Sequence, residues 1–482
     1  MSLLERARQG TRLAFHLGNN WISLLGAALT TASALTLLWF WGLELTSARS
    51  VHPYIGIVLF LILPALFLLG LLLIPIGLVR ERRRLAREGR TPTEYPRVDL
   101  RSPVLRSLLL FVAGATIVNV AILGTATYKG VEYMDSDRFC GLACHSVMAP
   151  EYTAFLDSPH SRVGCAKCHI GEGAGSFMRA KLSGVRQLYG VTFSTYSRPI
   201  PTPVHDLRPA RETCAQCHWP QRFLGDKLVV KTKYGDDEKN TPATTVLVLK
   251  LGGQGGSGPV GIHGRHVATE ERIRYVSTDG RRGVIPKVTY RADDGTVVEY
   301  VSEDTKVSAA ELERGETRTM DCVDCHNRPT HAFDLPERAV DRAIGEGRIS
   351  RDLPFVRKTA VALLRKEYPD RATAERAVVE GLADFYRTDH PEVYRRQREV
   401  VEKAGVAVRA IYQRNVYPSM KLTWGTHPNH SGHEDSPGCF RCHDESHKSA
   451  DGRTISQDCE ACHTILAQDE TDPKVLADLG LK

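Results

Sequence analysis

Three long apolar runs dominate the first quarter of the chain: Ile22 to Leu45, Tyr54 to Val79 and Leu108 to Thr127. Each has roughly the length a helix needs to cross a bilayer. Trp21, Trp39, Trp41 and Tyr54 lie near the ends of these runs, where interfacial aromatics gather. Pro64 and Pro75 fall inside the second run and predict a kink there. Past residue 128 the pattern changes. Residues 227–304 alternate in strand fashion ("TVLVLKL", "RIRYVS", "VIPKVTY", "TVVEYV"), with "TDG" and "DDG" as turns. Residues 336–413 carry helical spacing and many i,i+4 charge pairs, interrupted near Pro354, Pro369 and Pro391. The rest is polar and loop-rich. The pattern predicts three N-terminal transmembrane helices, then a mainly α and irregular domain with a small β-rich insert.

Charge orients the anchor. Nine arginines lie between Arg80 and Arg106, whereas the loop from Thr46 to Pro53 carries only Arg49. The positive-inside rule puts residues 80–106 in the cytoplasm, with Arg6, Arg8 and Arg12 on the same side. Three crossings then place everything after about residue 128 outside, in a bacterium the periplasm. If the first run were a cleaved signal sequence, two crossings from an external start would reach the same side. Its length exceeds a signal h-region, which favours a retained anchor.

Cysteine settles the chemistry. All twelve cysteines pair up in sequence, at 140/144, 165/168, 214/217, 322/325, 439/442 and 459/462, and a histidine follows the second of each pair. Five sites read C-x-x-C-H: "CAKCH", "CAQCH", "CVDCH", "CFRCH" and "CEACH". That motif attaches c-type haem through two thioethers, and the adjacent histidine reaches the iron. Zinc ribbons use C-x-x-C pairs without needing a histidine after each, and a disulfide framework would not repeat it either. The sixth site, "CGLACH" at Cys140, has one extra residue between its cysteines. Six covalent haems, held by Cys140, Cys144, Cys165, Cys168, Cys214, Cys217, Cys322, Cys325, Cys439, Cys442, Cys459 and Cys462, are therefore expected. The fold class is a membrane-anchored multihaem cytochrome. Six haems would bring up to twelve propionate charges, which segments such as "HDLRPARETC" would offset; that accounts for the net charge of +7, and nucleic acid is not expected as a partner.

The motif histidines are His145, His169, His218, His326, His443 and His463, and a low-spin haem needs a second ligand on its other face. Ten more histidines are available beyond residue 128. His160, His205, His263, His266, His331, His433 and His447 are the candidates. His331, five residues past His326, is expected to serve a neighbouring haem, because so short a link does not readily bracket one ring. "GTHPNHSGH" offers His427, His430 and His433, of which one or two should ligate. His390, before Pro391, reads as a helix-end residue.

At "CHSVMAPEYTAFLDSPHSRVGCAKCH", "KLSGVRQLYG" and "PARETCAQCHWP", the chain resembles the NapC/NirT/NrfH family of membrane-bound quinol-oxidising cytochromes. "GIHGRHV", "MDCVDCHNRPTHAF" and "PGCFRCHDESH" resemble its long, ImcH-like inner-membrane type. The resemblance covers residues 128–464. Short members have one transmembrane helix and four haems, so the connection of the last two haems here is not inherited from them. The resemblance implies a first haem beside the quinol, with a methionine after the motif replacing the motif histidine on iron. Met148 is the matching residue. Residues i and i+3 share a helix face, so Met148 and His145 are alternatives on one side of the iron. A thioether also favours a higher potential. The family lysine corresponds to Lys181, and Gln187 stands where NrfH-like members carry an aspartate. Glutamine cannot take a proton, which leaves Glu151 as another possible base.

These readings divide the chain into an anchor (1–127), a NapC/NirT-like haem domain with sites 1–3 (128–226), the β-rich insert with candidate distal histidines (227–304) and a C-terminal haem region with sites 4–6 (305–482). The function implied is oxidation of menaquinol at the outer face of the cytoplasmic membrane. Electrons would pass to a periplasmic c-type cytochrome or reductase, in respiration and in extracellular metal reduction, with membrane lipid around the anchor. Two alternatives stay open: an electron-transfer subunit fed by another dehydrogenase, and a terminal oxyanion reductase.

Overall fold

The computed structural model describes residues 18, 20–46, 63–89, 106 and most of 121–481. The gaps in that last stretch are 123–124, 127–128, 131, 144, 172–173, 205–208, 220–224, 253–260, 268–271 and 293. The chain divides into two compact units, Met1–His145 and Ser146–Lys482.

In the first unit, helices α1 (Trp21–Thr46) and α2 (Leu63–Arg87) are long and apolar enough to cross a membrane. They are two, where three spans were expected. The third run, 108–127, lies outside the described residues apart from 121–122 and 125–126, and so does the start of the second run, 54–62. The pair packs through small residues. A Cβ on Gly26 would stand 2.7 Å from the Gly70 carbonyl oxygen, and one on Gly77 would stand 2.4 Å from Ser23 Oγ. Ser23 Oγ donates to the Ile74 carbonyl at 3.0 Å, just before Pro75. Backbones this close are how helices associate where apolar burial gives no advantage over lipid. Helix α2 continues into the arginine run, where Arg84 pairs with Glu81 and Glu88.

In the second unit, α3 (His145–Leu156) and α4 (Ala174–Thr192) precede strands β1 (Lys227–Tyr234), β2 (Pro242–Leu249), β3 (Ile273–Ser277), β4 (Lys287–Arg291) and β5 (Val297–Ser302). A single turn, α5 (Ile262–His266), lies between β2 and β3. Three more strands come from beyond the expected insert: β6 (Glu316–Thr319), β7 (His447–Lys448) and β8 (His463–Glu470). They complete an antiparallel sheet β1-β2-β8 and another of order β6-β3-β4-β5-β7. The domain is therefore mixed helix and sheet, not mainly α and irregular with a self-contained insert. Strands 227–304 alone would leave β2, β3 and β5 with unpaired edges, and the later segments cover them.

The stretch read as helical forms α6 (Pro336–Gly345), α7 (Val356–Arg365), α8 (Arg371–Asp389), α9 (Pro391–Arg396) and α10 (Arg398–Asn415). Pro336 and Pro391 occupy first-turn positions, where a missing N–H costs nothing. Asp370 caps α8 by accepting from Thr373 N at 2.8 Å. The inward faces form one apolar core around Leu353, Val356, Leu364, Val378, Leu382 and Tyr386, all fully buried.

Candidate redox cofactor sites

Each C-x-x-C-H segment is a single tight turn. Its geometry follows from i→i+4 backbone bonds: His218 N donates to Cys214 O at 2.7 Å, His326 N to Cys322 O at 2.8 Å, and His443 N to Cys439 O at 3.1 Å. One turn thus places the histidine next to the first cysteine on the same face. All eleven described cysteines are free of disulfides; Cys144 is not among them. Among the described residues, no three His, Cys, Asp or Glu side chains converge as a zinc site requires. At the first site, Phe139–Ala143 forms a π-helical turn. The extra residue is absorbed there as one wide turn, a distortion that recurs at functional positions, and α3 begins directly afterwards at His145.

The decisive geometry is between histidines. Five imidazole rings from motifs each face one ring from outside any motif. Centroid separations are 6.1 Å for His169 and His331, 5.9 Å for His218 and His160, and 6.4 Å for His326 and His263. They are 5.8 Å for His443 and His266, and 6.3 Å for His463 and His433. A first-row metal bonded to two imidazole nitrogens at about 2 Å each, on opposite faces, holds the ring centroids roughly 6.3 Å apart. All five pairs have the separation of rings that bracket an iron.

The other ring nitrogens agree. Nδ1–H donates to a backbone carbonyl in His263 (Leu251, 3.1 Å), His266 (Ile262, 2.8 Å), His331 (Glu151, 3.0 Å) and His443 (Ser456, 2.8 Å). That bond fixes the tautomer and leaves the Nε2 lone pair for a metal. Burial pushes His169, His263, His266, His326, His331 and His463 below the ordinary histidine value, so they are held neutral, the form that ligates. The residues present fit covalent haem at sites 2 to 6.

His160, His263, His266, His331 and His433 are thus brought opposite motif histidines. His447 is not, which corrects the expectation for it. Its Nε2–H donates to the Ile285 carbonyl and its Nδ1 faces the Asp444 carboxylate, each at 2.8 Å, leaving no nitrogen for iron. His205 lies outside the described residues. His430 donates to the Arg281 carbonyl at 3.1 Å, and His390 packs against Phe355, Phe385 and Tyr386. Met148 is half-buried on α3, three residues from His145. Lys181 and Gln187 both lie on α4; Gln187 is exposed and donates to Ser183 Oγ at 3.2 Å. Glu151 is no free base: both its oxygens accept from the buried Arg328, at 3.0 and 2.8 Å.

Sequence reasoning missed the side chains that hold the motifs. Asp324, inside "CVDCH", is 2 % exposed and accepts from Tyr275 Oη at 2.6 Å and Arg318 Nε at 3.2 Å. Its other oxygen accepts from Asp321 N at 2.6 Å. Asn327 accepts from His430 N and donates to the Pro428 carbonyl, both at 2.9 Å, tying the loop that carries His433 to the fourth motif. An aspartate between two motif cysteines facing Tyr275 on a distant strand leaves no local signal.

The profile of the NapC/NirT cytochrome c family, N-terminal region, matches residues 102–200. The chain is 41% identical to the cytochrome c-type protein ImcH of Geobacter sulfurreducens over 453 residues, 93% of this chain and 88% of the relative. No solved structure matches. With c-type haem motifs, apolar anchor helices and near full-length similarity to that relative, the chain belongs to the NapC/NirT family of membrane-anchored multihaem c-type cytochromes.

Proposed function

We propose that this protein oxidises menaquinol at the outer face of the cytoplasmic membrane and passes the electrons singly, through six covalent haems, to a periplasmic cytochrome or reductase. The observation that carries the reading is the set of five facing histidine pairs at 5.8–6.4 Å. Bound haem supplies the one-electron chemistry. The chain's part is to hold each iron of sites 2 to 6 between two imidazoles, with Nδ1 of His263, His266, His331 and His443 anchored to backbone carbonyls. Two facing histidines at each of sites 2 to 6 would both be taken up by a bound haem, leaving no place there for an oxyanion, which weighs against the reductase alternative.

The first site differs, and we assign it the quinol. Met148 and His145, three residues apart, would be alternative ligands on one side of its haem. Lys181 and Gln187 share α4 with the exposed apolar side chains Leu182, Val185 and Tyr189, which suit the tail of an isoprenoid quinol or the lipid it comes from. Lys181 orients a ring oxygen and Gln187 donates to it. The arginine-rich segment 80–106 faces the cytoplasm and the haem domain the periplasm. Mixing the purified holoprotein with a reduced menaquinol analogue tests this: haem absorbance should shift to the reduced form within the mixing experiment. An intact six-haem protein that dithionite reduces and the quinol does not would leave it as a subunit fed by another dehydrogenase.

A further inference from the structure

We propose that sites 4 and 5 share one seat: the backbone of residues 250–252, at the end of β2, sets the outer ligands of both through α5, and Gly261 is the positioning residue that lets this turn reach it. The proposal rests on the ligand pairs above and not on the quinol.

Both ligands ride on α5. His263 faces His326 of site 4 at 6.4 Å, His266 faces His443 of site 5 at 5.8 Å, and the two stand three residues apart on a single turn. Residues so spaced share a helix face, so a displacement of the turn moves both rings together. A helix of five residues does not hold its shape unaided.

The seat holds it. Gly261 N donates to the Gly252 carbonyl at 3.1 Å, Ile262 N to that of Lys250 at 2.8 Å, His263 N to that of Leu251 at 3.1 Å and Gly264 N to that of Gly252 at 3.0 Å. The N–H groups that the start of a helix leaves without internal partners are thus all taken up by residues 250–252. His263 Nδ1–H bonds the same Leu251 carbonyl, at 3.1 Å.

Contact this close leaves no room for a side chain. A Cβ on Gly261 would stand 2.3 Å from the Lys250 carbonyl oxygen, 2.5 Å from Gly252 N and 2.7 Å from the Leu251 carbonyl carbon, all backbone atoms. The seat is fixed from its other side, because Lys250 N donates to Cys462 O at 2.9 Å and Leu249 pairs with His463 across β2 and β8. A side chain at 261 therefore shifts the turn and not the sheet.

The motif ends of the two sites are joined as well. Arg441, inside the fifth motif, donates from Nη2 to the Asp324 carbonyl of the fourth at 2.7 Å and from Nη1 to the Arg282 carbonyl at 2.6 Å. Sites 2, 3 and 6 take their outer ligands from other segments, at His331, His160 and His433. Arg211, in the turn that leads into the third motif, reaches the Val267 carbonyl just after α5 at 3.0 Å through its side chain, which can follow a shift of the turn.

The test is Gly261→Ala in the six-haem protein, read by electron paramagnetic resonance during a redox titration. Two low-spin signals should change together, in g-values and in midpoint, and the others should stay as in the parent. His263→Met and His266→Met, each exchanging one ligand, identify those signals as sites 4 and 5. Gly280→Ala, where a Cβ meets nothing within 4 Å, should change none. Where Gly261→Ala yields fewer than six haems, Ile262→Pro decides: proline suits the first position of a helical turn and removes the N–H that bonds Lys250, so the same two signals should move by less. A change at only one of the two haems, at neither, or at sites 2, 3 or 6 overturns the shared seat. If His263→Met or His266→Met leaves every signal unchanged, the ligand pairing beneath the proposal is wrong and the proposal falls with it, whatever the quinol experiment gives.

Discussion

Between Ala339 and Val416, twenty apolar side chains are buried in one cluster, seventeen of them contributed by α6, α7, α8 and α10. Between His160 and His218, a stretch about three-quarters as long, Ala210 is the one buried apolar side chain among the described residues. The first region closes on itself through side chains alone. The second keeps its cysteines half-exposed or exposed and holds imidazoles apart at the width of a ligated iron. Each such gap admits a large flat apolar ring, which would supply the burial the polypeptide lacks. One half of the domain carries its own core; the other is built around a group added after synthesis.

The largest effect expected from that contrast concerns the protein made without haem attachment. In the full-length apo-protein, a fragment spanning about residues 336–416 should resist limited proteolysis, and cuts should concentrate between residues 160 and 218. Local opening governs such cleavage, so the rates should differ by about tenfold or more. Mass spectrometry of the digest checks this. Equal resistance across both regions would mean that the haem region has a core of its own.

Two substitutions sharpen the comparison in the loaded protein. Asp324→Ala removes the buried carboxylate that holds Tyr275, Arg282 and Arg318 around the fourth motif. Arg282 and Arg318 keep Glu316 as a partner, so the cost is that of the buried hydrogen bonds lost, about 1–3 kcal/mol, and the low-spin signal of one haem should change with it. Leu382→Ala, fully buried in the helical lobe, costs about 2–5 kcal/mol through the cavity it leaves. Its haem spectrum should stay as in the parent. Thermal unfolding read by far-ultraviolet circular dichroism, beside the haem resonance spectrum, separates the two. A haem change in the Leu382 variant would show that the regions are coupled more tightly than their cores suggest.

The parts of this architecture with short-range causes were legible in the sequence. A covalent haem needs two thiols and a histidine within one turn, so six candidate motifs stood out in the sequence, and helical spacing with prolines marked the lobe. The outer ligands were legible as a pool and not as pairs. His326 meets His263 and His463 meets His433 only once two sheets have formed, and nothing local encodes that. His447 misled because "CHDESH" puts a histidine at plausible reach. Its strand β7 instead joins the edge of the five-stranded sheet, where the ring is enclosed by Ile285 and Asp444. Strand β8 went unread because "HTILAQDE" has one buried position in eight, and its strand character comes from pairing with β2.

The smallest expected effect is a pH dependence from His427, which lies outside the five pairs. Burial, and then the Arg328 guanidinium nearby, hold this imidazole down to about 4 from its ordinary value of 6.5. Folding therefore favours its neutral form. Its contribution is fully present above pH 6.5, falls as the pH drops from there toward about 4, and is constant below that. His427→Gln keeps a neutral polar side chain that does not titrate. Between pH 7 and pH 4.5 the parent holoprotein should lose more denaturation midpoint than this variant does, by less than either substitution above. Denaturant titrations at the two pH values measure the difference, and parallel losses would mean that His427 is charged inside the folded domain.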